Sequence, residues 1–381
     1  FEHYGIEDGL PQHTIMSVLQ DHKGFMWFAT WNGLSKFDGS NFYSYNIQSE
    51  ESQYMRSNRI DYIVEDKFGY IWVLPYDHEP CRFDPRAERF VSLRDFEEYD
   101  NHSIKTRVIK PMKSGKVWLV KGDKGAVCVK DSSFDLKAYN KDDLVYDVHE
   151  DSENNSWILT DNGLYVEVSE EDSLNSFFAN KTTSNFSSFY AVMELDNELW
   201  FGSDNGEIQV FNKEEKHFDL IKLQTRSKIK DVKKINDQLV LLATDNNGFF
   251  IYDKIAKKAE HYHQKNLLGM KSDSIQSCYI DRSENIWFDL NYSGVGKFNV
   301  ADRQMIFFET MKENGIPSIF QSTFFVLEDL ADRVWVHPQG GGFSYYDPDK
   351  DVLVPFYSEP NAPDWRFSNI MHTAFSDKQG N

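Results

Sequence analysis

Apolar and polar residues alternate through IMSVLQD (Ile15 to Asp21), the period of a half-buried strand. His22-Lys23-Gly24 breaks the run. FMWFAT (Phe25 to Thr30) follows, almost wholly apolar, and reads as a second strand centred on Trp27. Asn32-Gly33 supplies the positive-φ pair of a tight hairpin. Leu34 to Phe37 reads as a third strand and Asp38-Gly39 as another tight turn. FYSY (Phe42 to Tyr45) completes the set as an outer strand. Four short strands joined by tight turns predict one blade of a β-propeller.

The pattern recurs. Clear copies are DHKGFMWFATWNGLSKFDG (Asp21 to Gly39) and DSENNSWILTDNGLYVE (Asp151 to Glu167). DNELWFGSDNGEIQVFN (Asp196 to Asn212) and RSENIWFDLNYSGVGKFN (Arg282 to Asn299) follow the same plan. The marker aromatics are Trp27, Trp72, Trp118, Trp157, Trp200, Trp287 and Trp335, with Leu241 standing in for a missing Trp. They are 45, 46, 39, 43, 41, 46 and 48 residues apart, the period of a propeller or a similar array. A ninth copy begins at Ile370, and the sequence reaches Asn381 just where its Trp strand is due. The expected architecture is therefore all-β. A seven-bladed propeller spans 1–310, and 311–381 opens a second propeller that is cut short. A single eight-bladed ring is the alternative. The opening residues, FEHYGIEDGLPQHTI, look like the outer end of one repeat and the inner strand of the next. Such an overlap closes a ring and removes its open edge.

Composition agrees. The chain has 381 residues, suited to units that pack on their neighbours. Aromatic residues make up 15 %, as pleated packed sheets favour. The net charge of −20 argues against general binding to nucleic-acid backbone or to an anionic membrane. No apolar run approaches the ~20 residues of a membrane-spanning helix. Cys81, Cys128 and Cys278 lie at unrelated positions of different repeats, which gives neither a disulfide framework nor zinc spacing.

GLPQHTIMSVLQDHKGFMWFATWNGLSKFDGSNFYSYN (Gly9 to Asn46) resembles the two-component regulator propeller repeat of Bacteroidetes hybrid two-component systems. The resemblance extends over the whole chain and is weakest in repeats 3 and 6. It implies a periplasmic ligand-sensing region of an inner-membrane protein. It further implies an oligosaccharide ligand, homodimers in the full-length receptor and control of polysaccharide-utilisation genes. The histidine kinase and other signalling modules of such a system have no counterpart in this sequence. The membrane would be reached only through segments outside it.

Repeat copies serve packing and turns, so the informative positions break the repeat. On the face shared by the second-to-third turns and the blade connections these are Trp31, Arg56, Arg59, Tyr76, His78, Tyr292 and Trp365. Repeat 2 replaces the expected Thr-x-x-Gly turn with VLPYDHEPCRF, which also carries Asp77 and Glu79. Aromatic rings that stack on pyranose faces, beside Arg, Asp and His that bond to hydroxyls, compose a sugar site. In a closed seven-bladed ring, blade 7 adjoins blade 1, which would bring Tyr292 to the others. Arg226 and Lys228, in a basic run, suggest contacts to a uronic or sulfated glycan. No catalytic fingerprint, metal set or cofactor loop appears. The expectation is a binding module without chemistry of its own. The alternatives are a propeller polysaccharide lyase or glycoside hydrolase, and a protein-interaction propeller.

Overall fold

The computed structural model describes residues 6–12, 14–46, 57–93, 105–130, 136–139, 142–167, 174–176, 188–275, 277–289, 295–308, 325–337, 344–355 and 373–377. These form eight four-stranded antiparallel sheets and one short 3₁₀ turn, Ile6–Asp8. Sheet 1 holds β1 (Ile15–Gln20), β2 (Met26–Thr30), β3 (Gly33–Phe37) and β4 (Phe42–Tyr45) in chain order. Sheet 2 holds β5 (Ile60–Glu65), β6 (Ile71–Pro75), β7 (Cys81–Asp84) and β8 (Arg89–Ser92). Sheet 3 opens with β9 (Thr106–Pro111) and ends at Tyr139. Sheets 4 to 8 run over Val145–Ser176, Phe189–Lys222, Ile229–Tyr262, Ser277–Phe308 and Phe325–Pro355. Each sheet is one blade of an all-β propeller. The eight sheets fit both expected arrangements, seven blades plus the start of a second propeller, or one eight-bladed ring. Of the ninth copy, residues 373–377 are described and form no strand.

The chain divides into two compact units, Phe1–Phe186 with sheets 1 to 4 and Ser187–Asn381 with sheets 5 to 8. Within each unit, neighbouring sheets bury their faces on each other. Trp27, Ala29 and Leu34 of sheet 1 meet Ile63, Val73 and Phe83 of sheet 2. Leu241, Phe249 and Ile251 of sheet 6 meet Ile286, Phe288 and Phe298 of sheet 7 in the same way.

The marker position is a packing position. Trp27, Trp72, Trp118, Trp157, Trp200, Trp287 and Leu241 are buried, and Trp335 is half-buried. A large indole in an apolar face brings one polar group with it, the ring N–H, which needs an acceptor. Five repeats supply it from an Asp six residues earlier. Asp21, Asp66, Asp151, Asp281 and Asp329 each accept the indole N–H of their Trp at 2.8–2.9 Å. The other carboxylate oxygen of each Asp caps the turn. For Asp21 it accepts the N–H of Lys23 at 2.9 Å and of Phe25 at 3.0 Å. Where the Asp is missing the indole finds another oxygen. Trp118 donates to Ser156 Oγ at 3.3 Å and Trp200 to Glu198 Oε2 at 3.0 Å. Repeat 6 has lost both partners together: Ile235 replaces the Asp where Leu241 replaces the Trp.

The Thr-x-x-Gly turn has an equally local cause. Thr30 Oγ1 donates to the Gly33 carbonyl at 2.9 Å and accepts the Asn32 N–H at 3.0 Å. Thr160 and Thr244 close their turns the same way. Gly33 has φ 107°, and a Cβ there would stand 2.4 Å from the Tyr45 carbonyl oxygen. Backbone angle and space both require glycine.

The inner strands of sheets 1 to 6 share an irregularity. Each begins with a β-bulge that leaves one residue outside the ladder. The residues are Met16, Asp61, Arg107, Tyr146, Tyr190 and Lys230. Bulges of this kind re-aim a side chain.

Candidate functional site

A hydrogen bond repeated in six sheets ties each second-to-third turn to the connection entering the same sheet. Trp31 N–H donates to Thr14, Tyr76 to Arg59, Gly122 to Lys105, Asp161 to Leu144, Asp204 to Ser188 and Asp245 to Lys228, all at 2.8–3.4 Å. Turns and connections therefore share one face. The bond also aligns the repeats: Trp31, Tyr76, Gly122 and Asp161 occupy equivalent positions in the first unit. Of these four, only Trp31 and Tyr76 place aromatic rings there.

The two rings meet on one cation. The Arg59 guanidinium carbon lies 4.3 Å from the centroid of Tyr76 and 5.1 Å from that of Trp31. Each such stack contributes ~0.5–1 kcal/mol at an exposed site. Arg59 Nε donates to Asp61 Oδ1 at 2.9 Å, and Asp61 is the bulge residue of β5. The bulge thus aims a carboxylate back at the Arg two residues earlier. Trp31 is 44 % exposed and Tyr76 56 % exposed. Both are large aromatics held by a charge and a backbone bond, with no core around them.

Repeat 2 builds its loop by losing the clasp. Pro75 pairs with Ile60 as Thr30 pairs with Ile15, but it has no hydroxyl to close the turn. The chain instead runs out through Tyr76-Asp77-His78-Glu79. His78 takes a left-handed φ of 64°, and its N–H donates to the Pro75 carbonyl at 2.9 Å. The exposed imidazole lies 6.5 Å from the Tyr76 ring, centroid to centroid. Asp77 accepts the Glu79 N–H at 3.2 Å. Burial, helped by Asp77, pushes the Cys81 thiol up to about 12, so this thiol stays protonated at neutral pH.

Four of the seven expected site residues are thus brought together: Trp31, Arg59, Tyr76 and His78. Arg56, Tyr292 and Trp365 lie outside the described residues. Asp61 belongs to the site and was not anticipated. In the second unit, Lys228 Nζ lies 3.5 Å from the Tyr190 ring, with Lys228 at the connection position that Arg59 holds in sheet 2. Arg226 is exposed. Among the described residues, no three His, Cys, Asp or Glu side chains group so as to hold a metal ion, and no helix is long and apolar enough to cross a membrane.

The fold and this face define a β-propeller protein with an exposed aromatic and arginine cluster on its turn side. Residues 9–32 match the family described as "Two component regulator propeller", so the chain carries a repeat of that kind. No curated protein matches the chain. Among solved structures it is similar to the extracellular domain of the putative hybrid two component system BT4673 from B. thetaiotaomicron. The identity is 16 % and the TM-score 0.46, over 91 % of this chain and 52 % of that one. The chain thus spans about half the length of that structure. It is also similar to the computationally designed Ika8 protein, at 10 % identity and a TM-score of 0.56 over 87 % of this chain and 95 % of that one. BamB from Moraxella catarrhalis gives 11 % and 0.54, over 86 % and 94 %. At such identities the likeness is one of fold.

Proposed function

We propose that this chain is the extracytoplasmic, ligand-sensing part of a hybrid two-component sensor, and that it binds oligosaccharide on the turn face of its first unit. The two-component regulator propeller repeat at residues 9–32 supports the class. One observation carries the site: Trp31 and Tyr76, both exposed, converge on Arg59. Exposed rings offer flat apolar faces to pyranoses, while Arg59, Asp61, Asp77 and His78 offer donors and acceptors to hydroxyls. Binding exchanges solvated ring faces for sugar faces. A ligand that favours one arrangement of a receptor homodimer shifts that equilibrium by its difference in affinity for the two states. In this reading the protein sits in the periplasm, its kinase lies beyond the membrane, and its output is the expression of polysaccharide-utilisation genes.

Calorimetric titration with oligosaccharides tests the site. Tyr76→Ala or Arg59→Ala weakens binding at least tenfold, or ~1.4 kcal/mol, and leaves the melting temperature nearly unchanged. Parent-like affinity in both variants refutes the site. Analysis of the sugar after each titration separates a binder from a lyase or hydrolase, because only an enzyme shortens it.

A further inference from the structure

We infer that Lys105 and Arg107 extend the site onto sheet 3 and select a saccharide that bears carboxylate or sulfate groups. The inference rests on the saccharide reading above and adds the charge of the ligand. The Thr106 N–H donates to the His78 carbonyl at 2.8 Å, so the site loop of sheet 2 sits directly on the start of β9. Thr106 is buried, and its neighbours Lys105 and Arg107 are exposed on either side of that contact. Arg107 is the bulge residue of β9 and so the counterpart of Asp61. Sheet 2 uses that position to neutralise Arg59. Sheet 3 uses it to add a second positive charge.

The Arg107 guanidinium is fixed without being neutralised. Its Nη2 donates to the carbonyls of Val145 at 3.1 Å and Tyr146 at 2.8 Å. Among the described residues, neither Lys105 nor Arg107 has a carboxylate partner. Four cations around them do: Arg59 pairs with Asp61, Lys110 with Asp147, Lys116 with Glu167 and Lys121 with Asp123. With 61 acidic residues against 41 basic ones, adjacent cations without an acid run against the composition of the chain. The nearby loop acids are otherwise engaged: Asp77 is turned back onto the Glu79 N–H, Asp123, in the turn tied to Lys105, pairs with Lys121, and Asp143 accepts from Asn162 and Tyr165. A held guanidinium with unused N–H donors matches the two oxygens of a carboxylate or sulfate group. A neutral sugar satisfies donors there but leaves the charge uncompensated.

The experiment uses the chain as it stands. Oligosaccharide pools from pectin, alginate and chondroitin sulfate are compared by thermal shift with pools from galactan, xylan and dextran. A purified oligosaccharide from any active pool then goes to calorimetry at low and high salt. The acidic pools are expected to raise the melting temperature, with an affinity that weakens as salt screens the exposed charges. Lys105→Gln combined with Arg107→Gln is expected to lose at least tenfold in affinity at an unchanged melting temperature. Arg107→Lys, which keeps the charge and loses the fork, should fall between that variant and the parent. If neutral oligosaccharides bind through Tyr76 and acidic ones do not, the saccharide reading stands and this inference falls. Parent-like binding of an acidic oligosaccharide by the double variant also overturns it. If no pool binds, both readings fall.

Discussion

The indole–carboxylate pair that recurs in five repeats can be weighed by a double-mutant cycle on Asp21 and Trp27. Asp21 Oδ2 accepts the Trp27 indole N–H at 2.9 Å, and Oδ1 caps the turn at Lys23 and Phe25. Both side chains are buried, at 2 % and 0 % exposure, so water replaces neither bond. Asp21→Asn keeps a cap oxygen and turns an amide N–H toward the indole N–H. The lost bond is one to a charged acceptor, worth ~1.5–3 kcal/mol, and the stranded donor sets the upper end of that range. Trp27→Phe removes the donor and part of the ring, and costs a comparable amount through packing. With Phe at 27 the amide has no donor to oppose. Asp21→Asn should then cost little, which leaves a coupling energy of ~1.5–3 kcal/mol. The assay is urea unfolding followed by fluorescence and circular dichroism on the parent, both single variants and the double variant. For a unit of this size the Asn variant should also melt lower by ~2–4 °C per kcal/mol. Strict additivity, or an Asn variant as stable as the parent, would show that the pair contributes nothing beyond ring burial.

Other consequences are as direct. Gly33→Ala should destabilise by ~1–3 kcal/mol in denaturant titration, because positive φ and the Tyr45 carbonyl both oppose the methyl group; Gly24→Ala, at φ 95° with nothing within 4 Å, should cost clearly less, and equal costs would remove the steric term. Burial raises the Asp329 carboxyl, but the Trp335 indole, the Arg333 N–H and guanidinium, and the Ala331 N–H outweigh it and hold it at about 2. A depressed carboxyl stabilises above its unfolded value near ~4 and loses that stability as pH falls toward 2, by ~2 kcal/mol in all. Acid titration of Asp329→Asn should therefore lack this part of the parent's loss between those values, and an identical profile would refute the assignment. Cys81, Cys128 and Cys278 are free and buried, so native protein should leave a thiol reagent unconsumed until denaturant is added; fast reaction of any one would contradict its burial.

Much of the fold was legible because its causes are local. The strands of sheet 1 fall within one residue of those read from alternation and turn residues, and the tryptophan steps mark equivalent positions in every sheet. The Asp six residues before five of the Trp residues was visible as a repeated letter, but its role was not. The six-residue step crosses a turn, where neither the strand period nor the helix period applies, and only the folded turn brings Asp21 under Trp27. The bulges were hidden for a related reason: one extra residue in IMSVLQ barely disturbs the alternation. At the site, Trp31, Arg59, Tyr76 and His78 stood out because they depart from the repeat. Asp61 did not, since IDYIVED reads as an ordinary inner strand, and Lys105 and Arg107 were masked by the divergence of repeat 3. What sets them apart is the register of β5 and β9, which no single segment of sequence reveals.

The recurring bulge has a consequence for how such a surface changes over time. A side chain inside a ladder is bound by the in-and-out rhythm of the pleat, and replacing it disturbs a neighbour. The residue left outside the ladder answers to no partner strand. At that one place six of the eight described sheets carry a thioether, a carboxylate, a guanidinium, two phenols and an ammonium, as Met16, Asp61, Arg107, Tyr146, Tyr190 and Lys230. Each of these six sheets keeps one interchangeable slot on its turn side, where recognition can be rewritten one letter at a time while the ladder stays as it is.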